Sequence, residues 1–412
     1  MAQKAKDMGR APNGNGTIRK KTVIRNGKSY EYWEGRCSVG YDSITGQQKQ
    51  RSISGSTKKE VLEKMRAMAS EIDSKNYYEP CTMPLSNWLN TWLDEYLFSV
   101  KESTLYHYRR SCELHIIPSL GNVRLDALNP AMIQRLYNLL QKPPHSLAAK
   151  TIKDTHGVLH QALQQAVDNG YIKTNPTTAC KLPRVQKKEI EPIEEGKLSE
   201  FLRAINGHPH EYLYIITLFT GLREGEILGL TWDCIDFERG LMTVKQQLRR
   251  QQVKGGKYYI STPKNSKKRI IALPDTVLNT FRLQKQKLEH MKANAAEVWT
   301  NRPLIFSDTA NKEQPFDLVF RNESGGLLSY RTVYDCFKRI VAKIGIPDAR
   351  FHDLRHTYAV AAIQSGDDIK TIQENLGHAT ATFTLDVYGH VTEKMKRRSA
   401  ERMESFIRSV AV

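Results

Sequence analysis

Residues 351–360 read FHDLRHTYAV and residues 376–391 read LGHATATFTLDVYGHV. The two runs set His352, Arg355, His378 and Tyr388 in one short region. An imidazole, a guanidinium, a second imidazole and a phenol are the groups that phosphoryl transfer to a tyrosine requires. One holds the phosphate charge, one moves a proton, one attacks. The spacing predicts a helix with His352 and Arg355, at i and i+3, on one face. His352 and His356 also form an HxxxH pair, but the residues between them are Asp-Leu-Arg, not those of HExxH. Arg355 on that helix would set a fixed positive charge beside a metal cation. Taken singly, His378 after Gly377 reads as a cap and Tyr388 as packing. A tyrosine of pKa about 10 attacks only beside a base and a stabilised phosphate.

Working outward, Arg223 lies in TGLREGEILGL, between an apolar helix and a second helical turn containing Glu226. A glutamate at i+3 can orient the guanidinium and leave its other donors for a ligand. A plain surface ion pair is the other reading. Lys264 lies in YYISTPKNSKKRIIALP, a β-hairpin turn dense in cations between two strand-like runs. A lysine there can reach a phosphate or protonate a leaving oxygen. Alternatively Lys264, Lys267, Lys268 and Arg269 are together a DNA-facing basic patch; the residues alone do not single out Lys264.

A chain of 412 residues is too long for one ordinary core, so two or three domains are expected. Its formal charge of +18 favours a polyanionic partner, nucleic acid before a membrane surface. No apolar run approaches the roughly 20 residues of a membrane span. The polar start MAQKAKDMGRAPNGNG lacks a signal-peptide core. These features give the expectation of a soluble intracellular protein. The six cysteines are scattered without a CxxC pair, as expected for free thiols rather than a disulfide framework or zinc site.

Residues 1–15, rich in Gly, Asn and Lys, read as a disordered tail. Three strands follow between Gly16 and Ser54, with Asn26-Gly27 and Thr45-Gly46 as turns, then a helix from Lys58. Arg19, Lys20, Lys21, Arg25, Lys28, Arg36, Lys49 and Arg51, interleaved with Tyr30, Tyr32 and Trp33, suit nucleic-acid contact. Residues 84–180 read as a compact bundle of about four helices. Leu85, Trp88, Leu89, Trp92, Leu93, Tyr96 and Leu97 repeat at helical spacing and read as core or interdomain packing. Ser103-Thr104 caps the second helix, Pro118 and Gly121 break the chain, and Asn129-Pro130 starts the third helix. Lys150, Thr151 and Lys153 fall on the first turn of the fourth, where backbone phosphates can bind; ordinary capping is the other reading. Residues 181–195 are a charged linker. Strand-like alternation marks 231–273, and the remainder from Asp275 is mainly helical. No internal repeat is present.

Arg223 in TGLREGEILGL, Lys264 in TPKNSKKR, His352-x-x-Arg355, Leu376-Gly377-His378 and Tyr388 stand in the order and spacing of the tyrosine recombinases, the phage-integrase class. The chain resembles this family over most of its length, in particular integrases of conjugative transposons and temperate phages. The resemblance implies a multidomain α+β fold. Residues 16–76 would be a three-stranded-sheet-plus-helix arm-type DNA-binding domain, 84–180 a SAM-like core-binding domain, and 196–412 a mainly helical catalytic domain with a small β-sheet. In that domain Arg223 and Arg355 would clamp the scissile phosphate, and Tyr388 would attack to form a 3′-phosphotyrosyl link. Lys264 would protonate the leaving oxygen, and His352 would act as base. His378 would donate a hydrogen bond, with Glu226 as support. Ser103, Thr104, Tyr108, Lys150 and Thr151 would contact DNA. No metal or nucleotide cofactor is implied. The implied partners are duplex DNA at core and arm sites, a homotetramer on two DNA sites through a Holliday junction, an excisionase and a host DNA-bending protein. The tail from Thr392, with Met395, Met403, Phe406 and Ile407, would dock on a neighbouring protomer. The setting would be the bacterial cytoplasm and nucleoid.

Overall fold

A computed structural model of the chain describes residues 17–25, 28–41, 46–73, 81–186, 192–251, 256–263, 268–300, 303–306, 313–378 and 393–410. The chain divides into two compact units, Met1–Val185 and Gln186–Val412.

The first unit opens with β1 (Thr17–Arg25), β2 (Lys28–Tyr41) and β3 (Gln48–Gly55), an antiparallel sheet in that order. Helix α1 (Lys58–Asp73) buries Val61 and Met65 against Cys37. Gly35 lies directly under the helix, where a Cβ would stand 2.3 Å from the Met65 sulfur and 2.9 Å from Val61. Trp33 packs at the edge of this core with Lys58 over its ring. Of the three aromatics read as interleaved with the charges, Tyr30 is the exposed one.

The bundle comprises α2 (Leu85–Thr91), α3 (Glu102–Ser111), α4 (Ile117–Leu120), α5 (Pro130–Gln141) and α6 (Ala149–Asp168). Its core includes Leu85, Trp88, Leu89, Leu93, Ile116, Tyr137 and Ile152. Trp88 is fully buried, and its indole N–H donates to Ala162 O at 2.9 Å, which satisfies the one polar atom it carries inside. Asn129 caps α5 as expected, accepting from the Met132 N–H at 3.1 Å with Pro130 in the first turn. Two expectations fail. Helix α3 begins at Glu102 with Lys101 at the cap and no side-chain cap bond, so Ser103 and Thr104 lie inside the first turn. Pro118 does not break the chain. A π-helical turn, Cys112–Ile116, sits before it and shifts the hydrogen-bond register, so the missing N–H is tolerated near the start of α4.

The second unit packs α7 (Glu195–Ile205), α8 (Glu211–Thr220), α10 (Asp275–Ala295) and α11 (Tyr330–Lys343) around Phe201, Tyr214, Phe281 and Phe337. Between α8 and α10 run α9 (Glu224–Leu228) and strands β4 (Ile235–Asp236), β5 (Leu241–Val244), β6 (Gln247–Arg250), β7 (Tyr258–Ser261) and β8 (Arg269–Ala272). They form two small sheets. One is β4-β5-β8; the other is completed by β9 (Leu304–Phe306) and β10 (Glu313–Gln314), in the order β10-β9-β7-β6. The helical reading beyond Asp275 missed β9 and β10, because strands of three and two residues leave no alternation to read. Helices α12 (Asp353–Ser365) and α13 (Ile369–Leu376) follow, then a final helix Glu393–Val410. Met403, Phe406, Ile407 and Val410 on that helix are exposed. Among the described residues no helix is long and apolar enough to cross a membrane.

Candidate active site

The site is built where two helices end. The apolar run of α8 buries Leu213, Tyr214, Ile216 and Leu218 and stops at Gly221, whose φ of 64° is the left-handed conformation glycine adopts freely. A Cβ on Gly221 would lie 2.6 Å from the Tyr358 ring and 2.8 Å from Leu376, so α12 and α13 close onto this turn. Helix α13 starts at Asp368, which accepts from the Thr371 N–H at 2.9 Å, and ends at Gly377 with φ 63°. The His378 N–H closes the end by donating to Gln373 O at 3.1 Å.

That closure leaves the carbonyls of Asn375, Leu376 and the cap residue Gly377 without helical partners, as helix ends do. Each accepts from a different arginine. Arg269 Nε donates to Asn375 O at 2.7 Å, Arg355 Nη2 to Leu376 O at 2.5 Å, and Arg223 Nη2 to Gly377 O at 3.2 Å. Arg355 also donates from Nη1 to Gly221 O at 2.7 Å, so one guanidinium ties both helix ends together. It is 1% exposed. The negative ends of two helix dipoles suit these cations.

Glu226 stands between Arg223 and Arg269. It is 1% exposed and accepts from the Arg223 N–H at 2.9 Å, Arg223 Nη1 at 2.8 Å, and Arg269 Nη1 and Nη2 at 2.9 and 2.6 Å. Burial raises its pKa, but the hydrogen bonds from Arg269 and the charges of Arg269 and Arg223 prevail and hold it at about 2. Three guanidiniums against this one carboxylate leave a net positive centre suited to a phosphodiester.

His352 is the N-cap residue of α12. Its ring lies perpendicular to that of His356, with centroids 4.8 Å apart. Partial burial, His356, Arg355 and Arg223 all push its pKa down. His352 keeps a solvent-exposed surface, and the neighbouring guanidiniums of Arg355 and Arg223 act in the same direction as its partial burial. Burial, then Arg355 and Arg223, likewise push His378 down. Both rings are therefore neutral at neutral pH, the form that accepts a proton at one nitrogen and donates from the other. The expectation that His352 and Arg355 share one face needs refinement: Arg355 turns inward to the helix ends while His352 stays at the surface. No group of three or more His, Cys, Asp or Glu that could hold a metal occurs among the described residues.

The structure thus brings together Arg223, Glu226, His352, Arg355 and His378. Lys264 and Tyr388 lie outside the described residues. Sequence reasoning missed Arg269, placing it with the cations of a DNA-facing patch. Its side chain is 9% exposed and faces inward, on the same side of β8 as buried Ile271, while Ile270 points out at 61%. The alternation lies in the burial and not in the residue types of Arg-Ile-Ile-Ala, so the sequence carried no signal for it. In the first unit, Tyr108 stacks on Trp92 with ring centroids 5.9 Å apart, so its ring serves packing. Lys150 is exposed and pairs with Asp154 at 2.7 Å, and Thr151 O accepts from the Thr155 hydroxyl. Ser103 and Thr104 are half-buried.

Comparison with known proteins bears on the fold and the family. Residues 192–395 match the phage integrase family, and residues 85–141 match the phage integrase N-terminal SAM-like domain. A tyrosine recombinase XerC-like protein of Caldanaerobacter subterraneus subsp. tengcongensis is 29% identical over 93% of this chain and 98% of its own length. Among solved structures, the Tn1549 transposon integrase in complex with transposon right end DNA aligns with a TM-score of 0.65 at 23% identity. It covers 78% of this chain and 100% of that one. A lambda integrase tetramer bound to a Holliday junction aligns with a TM-score of 0.55 at 18% identity, covering 90% and 96%. The two family matches span well over half of the sequence, from the helical bundle through the cluster of arginines, and the chain belongs to the phage integrase family of tyrosine recombinases.

Proposed function

We propose that this chain is the integrase of a mobile element, a site-specific recombinase that cuts and rejoins DNA through a 3′-phosphotyrosine and a Holliday junction. The observation that carries the reading is the convergence of Arg223, Arg355 and His378 on the carbonyl ends of α8 and α13 beside His352. Arg223 and Arg355 clamp the non-bridging oxygens of the scissile phosphate and stabilise the charge of the five-coordinate transition state. Tyr388 attacks the phosphorus. Its proton passes to His352, which returns it in the reverse step. Lys264 protonates the leaving 5′-oxygen, and His378 donates to a phosphate oxygen. Glu226 sets the aim of Arg223. The covalent link conserves the bond energy, so rejoining needs no ATP.

The sheet of residues 16–76 binds arm sites and the bundle of 84–180 binds core sites. Ser103, Thr104, Lys150 and Thr151 contact the backbone; Tyr108 contributes by supporting α3. Four protomers act on two DNA sites in the bacterial cytoplasm, and the exposed apolar residues of the final helix dock on a neighbour. An excisionase and a host bending protein set direction. The test mixes two duplexes carrying the ends of the encoding element with purified chain, without ATP and with EDTA. Recombinant duplexes are expected; intact parental duplexes alone would refute the reading.

A further inference from the structure

Arg269 is the one arginine at the site to which the roles above give no task. All three of its guanidinium nitrogens are engaged within the protein: Nε with Asn375 O at 2.7 Å, Nη1 and Nη2 with Glu226 at 2.9 and 2.6 Å. Both arms of its fork face the Glu226 carboxylate, so the acceptor its fork meets is a group of the protein itself. Its position joins three segments. It is the first residue of β8, paired with Val244, and stands five positions after Lys264 in the sequence. Through Glu226 it reaches the start of α9 and Arg223. Through Asn375 it reaches the last turn of α13, two residues before Gly377 and three before His378.

We propose that Arg269 is a positioning residue for strand transfer, holding the Glu226 carboxylate and the end of α13 in one frame so that Arg223 and His378 meet the same phosphate. The proposal rests on the reading of the site given above. The geometry supplies the mechanism. Arg269 and Arg223 share both carboxylate oxygens: Oε1 accepts from both Nη1 atoms, while Oε2 accepts from Arg269 Nη2 and the Arg223 backbone N–H. The planar fork of Arg269 fixes the plane of the carboxylate, and that plane decides where Oε1 faces Arg223. A lysine keeps the charge but cannot make the paired contact together with the bond to Asn375. Removing the cation has a second effect. The Arg269 hydrogen bonds and charge are leading causes of the low carboxylate pKa of Glu226, so without them the group titrates closer to neutrality.

The test uses the full chain and a nicked duplex carrying the end of the encoding element, with R269K, R269Q and the double variant R269Q/E226Q. Single-turnover formation of the covalent adduct and binding by mobility shift are measured across pH 5–8, alongside thermal melting. A misaimed reacting group costs on the order of 100-fold in rate. R269Q should lose about that factor in adduct formation while binding stays within about threefold, and R269K, retaining charge without the fork, should lose about tenfold. R269Q should also gain an acid limb, its rate falling with pH where the wild type stays level. R269Q/E226Q should lack that limb. Wild-type rates in R269K and R269Q, or losses that follow only the folded fraction with an unchanged pH profile, would overturn the proposal. Should R269Q fail to fold, R269K decides: a wild-type rate there overturns it. No adduct from the wild-type chain would overturn the strand-transfer reading itself, and this proposal with it. A normal wild-type adduct with unaffected variants overturns the role of Arg269 alone.

Discussion

Replacing Glu226 by Gln tests how the arginine cluster is held. The carboxylate is 1% exposed and bound by two guanidiniums and a backbone N–H. Its pKa is held at about 2 against an ordinary 4.5. At about 1.4 kcal/mol per pKa unit, that difference is worth on the order of 3 kcal/mol to the folded state. Breaking a buried ion pair by removing one partner costs about 3–5 kcal/mol, in agreement. The amide of Gln is nearly isosteric, so the cost is electrostatic rather than a cavity: it turns an N–H₂ donor toward guanidinium donors. Because the folded pKa is depressed, the contribution is complete above the unfolded value near 4.5 and is lost as pH falls toward 2. For a unit of this size about 3 kcal/mol corresponds to roughly 6–12 °C in Tm. Scanning calorimetry of the full chain at pH 7 and pH 3 should show the second unit melting lower in E226Q at pH 7, with the gap to wild type narrowing at pH 3. An equal gap at both pH values, or none at pH 7, would refute the argument that an ionised Glu226 holds the site.

Further outcomes follow from the same geometry. Gly221→Ala, at φ 64° with a Cβ 2.6 Å from Tyr358, should destabilise by more than the roughly 1–2 kcal/mol of a left-handed alanine. Gly207→Ala, at φ 72° with open space around it, should cost only that backbone term; equal midpoints in urea for the two variants would contradict the close approach of α12 and α13. In a histidine-labelled sample, His352 and His378 should titrate below 6.5 by NMR, since both are pushed down. With folded values below the unfolded one, they make stability fall as pH drops through the window beneath 6.5. A normal titration of either would contradict the influence of the arginines. DNA binding should weaken steeply with salt, as release of counterions from the phosphates requires; a flat response would show that the +18 charge does not hold DNA.

How far the sequence could be read depended on the range of the interaction. Asn129-Pro130 announced α5, because caps are local chemistry. Period and turn residues showed the N-terminal sheet and the bundle core. The three-residue β9 was invisible, since its place comes from pairing in parallel with β7, far away in sequence. The π turn before Pro118 was missed because π turns carry no composition signal. At the site, Arg223, Glu226, His352, Arg355 and His378 were legible as motifs, whereas their collar of carbonyls was not: which backbone oxygen meets which arginine is decided by tertiary closure. Arg269 shows the same limit. Its run of neighbouring cations suggested a solvated patch, and the buried carboxylate that claims it lies 43 positions upstream.

We propose that this cluster serves an attack by Tyr388 on a DNA phosphate. The most direct measurement incubates the chain with a nicked duplex carrying the end of the encoding element, digests the product and locates the nucleotide-bearing peptide by mass spectrometry. A covalent adduct with the 3′-phosphate joined to Tyr388 is expected, and none with Tyr388→Phe. An adduct that persists in the Phe variant, or a nucleotide mapped to another residue, would contradict it.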